Sequence, residues 1–170
     1  MNDLILLASL LEGPKHGYAL KKQAGLISGQ TDMHNNLVYP ALRRFVAHGW
    51  VTRKQTDGER GQTRQVYAIT PLGRKQVSEK VRDFDESAAA SMEEFRIRVG
   101  LFSILDPGAR EDILEKRKNY LLRRAERFGG LEEQMDLGEY GSEVVRFIGA
   151  QIKNELSWIE RLRNRSRRTK

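Results

Sequence analysis

Between residues 35 and 49 the chain reads NNLVYPALRRFVAHG, and its hydrogen-bonding side chains recur at helical intervals. Asn36, Tyr39 and Arg43 fall on one stripe, with Asn35 and Leu37 beside them in the opening turn. Val38, Leu42, Phe45 and Gly49 fall on another, flanked by Ala41 and Val46. One side packs and the other is offered outward. Amides, a phenol and guanidinium groups are the chemistry that meets base edges and phosphates when a helix enters the DNA major groove; an Asn pairs with adenine, an Arg with guanine or phosphate. The pattern predicts a recognition helix with Asn35, Asn36, Leu37, Tyr39 and Arg43 facing the groove, against the plainer reading of an ordinary surface helix. Pro40 lacks an N–H and disfavours helical angles at Tyr39. If Asn35 or Asn36 caps the helix, Pro40 lies in about its first turn and removes at most one bond, so a local irregularity is expected and not a break.

A helix of this kind needs a scaffold, and the flanking segments supply one. Residues 3–11 (DLILLASLL) are nearly all apolar and read as a buried first helix, although periodicity alone leaves a strand open. Glu12-Gly13-Pro14 stops it, and His16-Gly17-Tyr18 leads into a second helix, YALKKQAGLI, in which Tyr18 or Ala19, Lys22 and Leu26 recur at helical spacing. Residues 29–32 form a polar turn before the third helix. Three short helices of this kind describe a helix-turn-helix.

Residues 50–54 (WVTRK) and 64–70 (RQVYAIT) are rich in β-branched and aromatic side chains, and QTDGERGQT between them carries an Asp-Gly turn signal. That predicts a hairpin made basic by Arg53, Lys54, Arg60 and Arg64, suited to lie along a phosphate backbone as a wing. Tyr18, Lys21 and Lys22 on the second helix, with Arg60 and Arg64 on the wing, are the expected phosphate contacts. Thr70-Pro71-x-Gly73 supplies a cap followed by Pro in the first helical position, so a fourth helix starts near Pro71.

Composition narrows the partner. The net charge is +7 over 170 residues, unevenly laid out: residues 1–81 hold 12 Lys and Arg against 6 Asp and Glu, 82–160 hold 12 against 17, and 161–170 hold 6 against none. A basic first half suggests a polyanion, because Lys and Arg contacts to phosphate release counterions. No apolar run approaches the roughly 20 residues that span a bilayer, and Met1 to Leu11 lacks the features of a signal peptide, so a cytoplasmic protein without a membrane partner is expected. With no cysteine, disulfides and thiolate metal sites are excluded.

The fourth helix is expected to run over 71–105, with the polar DFDESAAAS as a hinge within it and Asp106-Pro107-Gly108 as its end. Residues 109–128 read as a long amphipathic helix, 131–141 as a loop or short helix, and 143–163 as a last helix with a seam of Val144, Phe147, Ile148, Ile152, Leu156, Ile159 and Leu162. Stripes of this length need a partner, and a small domain offers few surfaces, so a homodimer is expected, against the alternative of an intramolecular bundle. The fold class is thus mainly α with a small β-hairpin wing: a winged helix-turn-helix over 1–81 and a helical dimerisation region, with a basic tail, over 82–170. Phe84, Phe95, Phe102, Tyr120, Phe147 and Trp158 give that second half aromatic surface for a small aromatic or hydrophobic effector, against the plainer and commoner reading of Trp158, at helical spacing from Val144, Ile148 and Ile152, as a core or interface anchor.

The ordered set of Glu12-Gly13-Pro14, His16-Gly17-Tyr18, Val38-Tyr39-Pro40-Ala41-Leu42-Arg43-Arg44-Phe45 with Gly49, Val66-Tyr67 and Thr70-Pro71-x-Gly73 resembles the PadR family of winged-helix transcriptional regulators. Leu105-Asp106-Pro107 and Leu156-Ser157-Trp158-Ile159 resemble the longer C-terminal region of one branch, so the resemblance covers nearly the whole chain. It implies a sequence-specific, double-stranded-DNA-binding regulator, a repressor acting as a homodimer on a palindromic operator, without a cofactor. Some relatives release DNA on binding phenolic acids or flat hydrophobic drugs between their long helices; the resemblance implies a similar role for Trp158, with Phe102 and Phe147 as further aromatic candidates. This chain departs from the family where the third helix begins, with His34-Asn35-Asn36-Leu37 in place of Ser-Pro-Gly-Thr, and at its end, with Val46-Ala47-His48 in place of acidic residues. The first change falls where bases are read, so no operator sequence carries over from relatives.

An enzyme is the competing class. His16, His34 and His48 have no metal-ligand spacing and no nearby nucleophile. Glu93-Glu94 and Glu132-Glu133 sit in charged surface stretches, and Gly58 and Gly61 belong to the hairpin tip, not to a phosphate cradle. Neither catalytic nor metal-binding residues are expected. The other competitor is a winged-helix module that binds protein or RNA; RNA readers usually carry exposed stacking platforms, which this hairpin lacks apart from Tyr67.

Overall fold

A computed structural model describes residues 1–29, 33–57, 63–130 and 135–168. The chain divides into two compact units, Met1–Asp83 with Arg96–Ile104, and Phe84–Phe95 with Leu105–Lys170. A cut between residues 81 and 82 is close to the first crossing between the units, but residues 96–104 return to the first.

In the first unit, the apolar opening run folds as a helix, α1 (Asn2–Ala8), with Leu4, Ile5, Leu6 and Leu7 all buried. A short strand, β1 (Lys15–His16), follows, then α2 (Gly17–Ile27) and α3 (Asn35–Ala47). The hairpin is β2 (Val51–Asp57) and β3 (Thr63–Ile69), in register from Val51 opposite Ile69 to Asp57 opposite Thr63. β1 adds to the other edge of β3, with Lys15 opposite Tyr67 and His16 opposite Val66, so the sheet has the order β1-β3-β2. The expected hairpin forms, and β1 adds a third strand to it. Two residues between Pro14 and a helix are too few to show any alternation in sequence.

α2 forms as its spacing predicts, and the residues that carry the spacing share its exposed side. Its buried side is Gly17, Leu20, Ala24 and Gly25, while Tyr18, Lys22 and Leu26 form the exposed side, Leu26 being 64% exposed. α1 packs against α2, α3 and α4 (Pro71–Arg82). The predicted cap of α4 forms: the Gly73 N–H donates to Thr70 Oγ1 at 3.0 Å.

The helix expected over 71–105 is broken within the stretch read as a hinge. α4 stops at Arg82, and α5 (Glu86–Ala90) and α6 (Met92–Gly100) follow, with a 3-10 turn over Phe102–Ile104. Side chains compete for the backbone here: Asp85 Oδ1 accepts the Ala88 N–H at 2.8 Å and Ser91 Oγ accepts the Glu94 N–H at 3.2 Å, each opening a new helix. Asp106 acts in the same way, accepting the Ala109 N–H at 2.9 Å, so Asp106-Pro107-Gly108 starts α7 (Pro107–Gly129) and is not merely the end of what precedes it. The last helix, α8 (Gly138–Arg168), begins five residues before the expected Glu143 and runs past Arg163. Of the stretch read as loop or short helix, residues 131–134 lie outside the described residues.

The second unit packs α7 along α8 and α5 onto α7, burying Phe84, Phe95, Ile113, Leu114, Leu121, Ile152 and Ile159. Arg117, only 2% exposed, stands among them. Its Nε and Nη2 donate to the two Glu155 carboxylate oxygens at 2.6 and 2.9 Å, and its Nη1 donates to the Ala89 carbonyl at 2.5 Å. The guanidinium lies over the rings of Phe95, at 5.6 Å, and Tyr120, at 5.2 Å. Near the end of α8, Arg163 contacts Glu111, Glu115 and Glu160 at 2.7, 2.6 and 3.1 Å. Burial opposes the Arg163 charge, but the bond to Glu115 and the fields of the three carboxylates outweigh it and hold its pKa above the ordinary value.

Arg117→Ala leaves Glu155 as a nearly buried, unpaired charge and is expected to cost about 3–5 kcal/mol in urea unfolding of the full chain. Arg117→Met with Glu155→Leu removes both charges and should recover most of that loss; a double variant as unstable as the single one would contradict the ion-pair account.

Candidate nucleic-acid interface

α3 is capped by His34, whose backbone is extended and whose side chain makes no capping bond. The carbonyl of His34 accepts the N–H groups of Leu37, at 3.0 Å, and Val38, at 3.2 Å. Neither Asn35 nor Asn36 is the cap, so both amides sit within the first helical turn. Pro40 then falls in the second turn, where its missing N–H removes one bond and the helix continues to Ala47. The packing side is as expected: Val38, Ala41, Leu42 and Phe45 are buried, whereas Asn35, Asn36, Leu37, Tyr39, Arg43 and Arg44 are exposed. Arg44 is engaged by Asp3, to whose carboxylate its Nη2 donates at 2.8 and 3.1 Å.

α3 ends in a paired set of bonds that also launches the wing. The Gly49 N–H donates to the Val46 carbonyl at 3.0 Å and the Trp50 N–H to the Phe45 carbonyl at 2.9 Å, with Gly49 in the left-handed region at φ 69°. At the other end, the Met33 N–H donates to the Lys21 carbonyl at 3.1 Å and the Met33 side chain is buried, tying the entry of α3 to α2.

Tyr39 reaches back over the start of α2. A Cβ on Gly17 would lie 2.9 Å from Tyr39 Cε1, so the ring occupies the space that a side chain there would take. His16, Gly17, Tyr18 and Ala19 line a cleft of about 480 Å³ with Tyr39 of α3 and Arg64, Gln65 and Tyr67 of β3. The structure therefore joins Tyr18, Tyr39 and Arg64, from the three expected contact elements, in one place. Gln65 and the close approach at Gly17 escaped the sequence reading; the small residue between His16 and Tyr18 was the only trace of the latter. Tyr18 is 72% exposed, Lys22 is exposed and Lys21 is half-buried. Arg60 lies outside the described residues. Beside the cleft, Lys15 is paired with Glu12 at 3.1 Å, and a hydrogen bond from Gln23 together with Lys15 holds the Glu12 carboxyl below its ordinary pKa.

Of the aromatic candidates for an effector site, Trp158 and Phe147 lie on α8 and Phe102 in the 3-10 turn. Trp158 meets Phe95 edge-on, with ring centroids 5.4 Å apart. Phe147 lies eleven residues earlier on α8, roughly 16 Å away along the helix axis, and is 61% exposed. Phe102 belongs to the first unit. A cleft of about 450 Å³ is lined by Trp158, Arg161, Leu162, Asn164 and Arg165, and by neither phenylalanine. Among the described residues, no three His, Asp or Glu side chains converge as metal ligands, and no helix is long and apolar enough to cross a membrane.

Residues 6–79 match the family described as Transcriptional regulator PadR-like. No curated protein matches the chain. Among solved structures, a transcriptional regulator from Thermoplasma acidophilum is 32% identical, covering 45% of this chain and 72% of its own, with a TM-score of 0.41. A transcriptional regulator from Clostridium thermocellum is 29% identical over 46% of this chain and 76% of its own, with a TM-score of 0.41. Bacillus subtilis PadR, solved in complex with operator DNA, is 18% identical over 96% of this chain and 98% of its own, with a TM-score of 0.45.

Gly17→Ala must push the Tyr39 ring aside. Because the atoms that meet the new Cβ are the far end of a rotatable side chain that is 38% exposed, the unfolding free energy should change by less than about 1 kcal/mol, while affinity for nucleic acid falls. Unchanged affinity would show that the placement of Tyr39 is irrelevant to binding.

Proposed function

The chain belongs to the PadR-like family of transcriptional regulators, and from that premise we propose that it represses transcription by binding a palindromic operator in double-stranded DNA as a homodimer. The observation that carries the proposal is the division of α3: its inner stripe is fully buried, and the amides of Asn35 and Asn36, Leu37, the Tyr39 phenol and the Arg43 guanidinium cover its outer face. α3 enters the major groove by its N-terminal half, where Asn pairs with adenine and Arg with guanine or phosphate. Tyr18, Lys21 and Lys22 of α2 and Arg64 of the wing, joined in the sequence reading by Arg60, hold the phosphates on either side. These contacts set position and contribute affinity without reading sequence.

The second copy covers the first half of α8. Tyr140, Val144 and Phe147 are exposed there, although Ile152 and Ile159 further along the same helix are buried within the unit. The three exposed residues stand at i, i+4 and i+7, a bare apolar stripe about a quarter-turn from the buried side of α8, and such a stripe supports a contact outside the chain; a two-fold pair presents two recognition helices to successive turns of one DNA face. Residues 1–81 thereby act as the DNA-binding part and 82–170 as the dimerisation part. A small aromatic effector with an anionic group fits the chemistry of the cleft at Trp158, where Arg161 and Arg165 stand beside the indole. It releases DNA only if it binds the free protein more tightly than the operator complex.

Asn36→Ala should lose about 1–3 kcal/mol on the selected operator and almost nothing on random duplex. Lys22→Ala should weaken both equally and lower the salt slope by about one. Equal losses for Asn36→Ala on both duplexes would remove its base-reading role, and tighter binding to single strands than to duplex would reject the proposal as a whole.

Phe147→Glu places a charge in the proposed contact between copies, and sedimentation should show the wild type as a dimer and the variant as a monomer at micromolar concentration. A monomeric wild type would overturn the dimer.

A further inference from the structure

We infer that Leu37 reads the C5-methyl group of a thymine, an inference that rests on α3 entering the major groove. Leu37 is 44% exposed in the opening turn of α3, where its N–H is already used by the His34 carbonyl. It lies outside the inner stripe, which Val38, Ala41, Leu42 and Phe45 form at 0, 2, 1 and 0% exposure. It shares the opening turn of α3 with the exposed amides of Asn35 and Asn36.

An isobutyl group in this position has one complementary target. The edges of bases in the major groove display N7, O6, O4 and amino groups, each of which loses water without compensation when an aliphatic chain covers it. The thymine C5-methyl is the exception, and it gains from the same contact. Leu37 therefore selects in two ways, attracted by the methyl and penalised over a bare polar edge. In an operator of two half-sites, one thymine in each is contacted.

Deoxyuridine differs from thymidine by that methyl alone, which makes the test specific. After the full-length wild-type protein has selected its operator from random duplexes, each thymine is replaced singly by deoxyuridine and affinity is measured for the wild type and for Leu37→Ala. The expected result is an affinity loss of about fourfold per contacted thymine in the wild type, equivalent to ~0.8 kcal/mol for one buried methyl. In Leu37→Ala the same replacement should have no effect, with circular dichroism showing that the exposed substitution leaves the fold intact. If every thymine tolerates the replacement, or if the loss is the same in both proteins, the methyl contact is overturned while the operator binding stands. If no duplex is selected at all, the DNA-reading function falls and this inference falls with it.

Discussion

The junction of Phe45 and Trp50 is the constraint on which the first unit depends. Phe45 is wholly buried on the inner side of α3, its carbonyl accepts the Trp50 N–H at 2.9 Å, and the two rings stand 5.8 Å apart. Trp50 extends the lock: His48 stacks on it at 4.8 Å, Lys80 of α4 lies over it at 5.8 Å, and its carbonyl accepts the Thr70 N–H at 2.9 Å. The Thr70 hydroxyl donates to the Gly49 carbonyl at 2.7 Å and accepts the Gly73 N–H. One corner thus joins the end of the helix that faces outward, the first strand of the hairpin, the last, and the start of α4. The angle between α3 and the wing is set by packed rings and backbone bonds, not by exposed loop residues. Such a corner suits a surface that must match the fixed spacing between a groove and its phosphates.

The clearest sequence signals were those that repeat or terminate. Val38, Ala41, Leu42 and Phe45 recur at a period only a helix satisfies, and Thr70-Pro71-x-Gly73 names a cap by its chemistry. α2 was recognisable as a helix, but its buried side was not, because Gly17, Ala24 and Gly25 are small and carry little hydrophobic pattern, whereas Tyr18 and Leu26 are large and lie outside. Contacts between distant segments were illegible for a different reason. β1 is fixed by pairing with β3 some fifty residues later, and the approach of Tyr39 to Gly17 joins two helices. Neither leaves a local period.

The break at residues 83–91 was half legible. The polar stretch suggested a hinge, but a hinge and a chain reversal with new caps have similar composition. What decides is the competition of Asp85 and Ser91 for backbone N–H groups, together with the burial of Phe84 against Phe95, at 6.2 Å between rings. The gain from burying an aromatic side chain, on the order of 2–3 kcal/mol, exceeds the loss of one or two helical bonds whose groups find side-chain partners instead.

α8 raises the reverse question, why so long a helix remains regular when its first half has little to pack on. Its second half is anchored from both sides, by Ile152 and Ile159 in the apolar interior and by Glu155 and Arg163 in ion pairs to α7. Helix propagation from an anchored segment adds one bond for each residue fixed, whereas an isolated helix must first nucleate. The first half can therefore be ordered by extension from the second, and its Tyr140, Val144 and Phe147 held in one stripe before any partner arrives. A proposed second copy then meets a surface already formed, so little of the free energy of association is spent on ordering it. The same rigidity carries a consequence for control. Trp158 lies in the anchored half, packed on Phe95 and near Glu155, so a ligand that displaces the indole acts on the segment from which the exposed stripe is extended. Any effect on the proposed contact between copies would pass along one continuous helix, from its anchored half to the half that carries the exposed stripe.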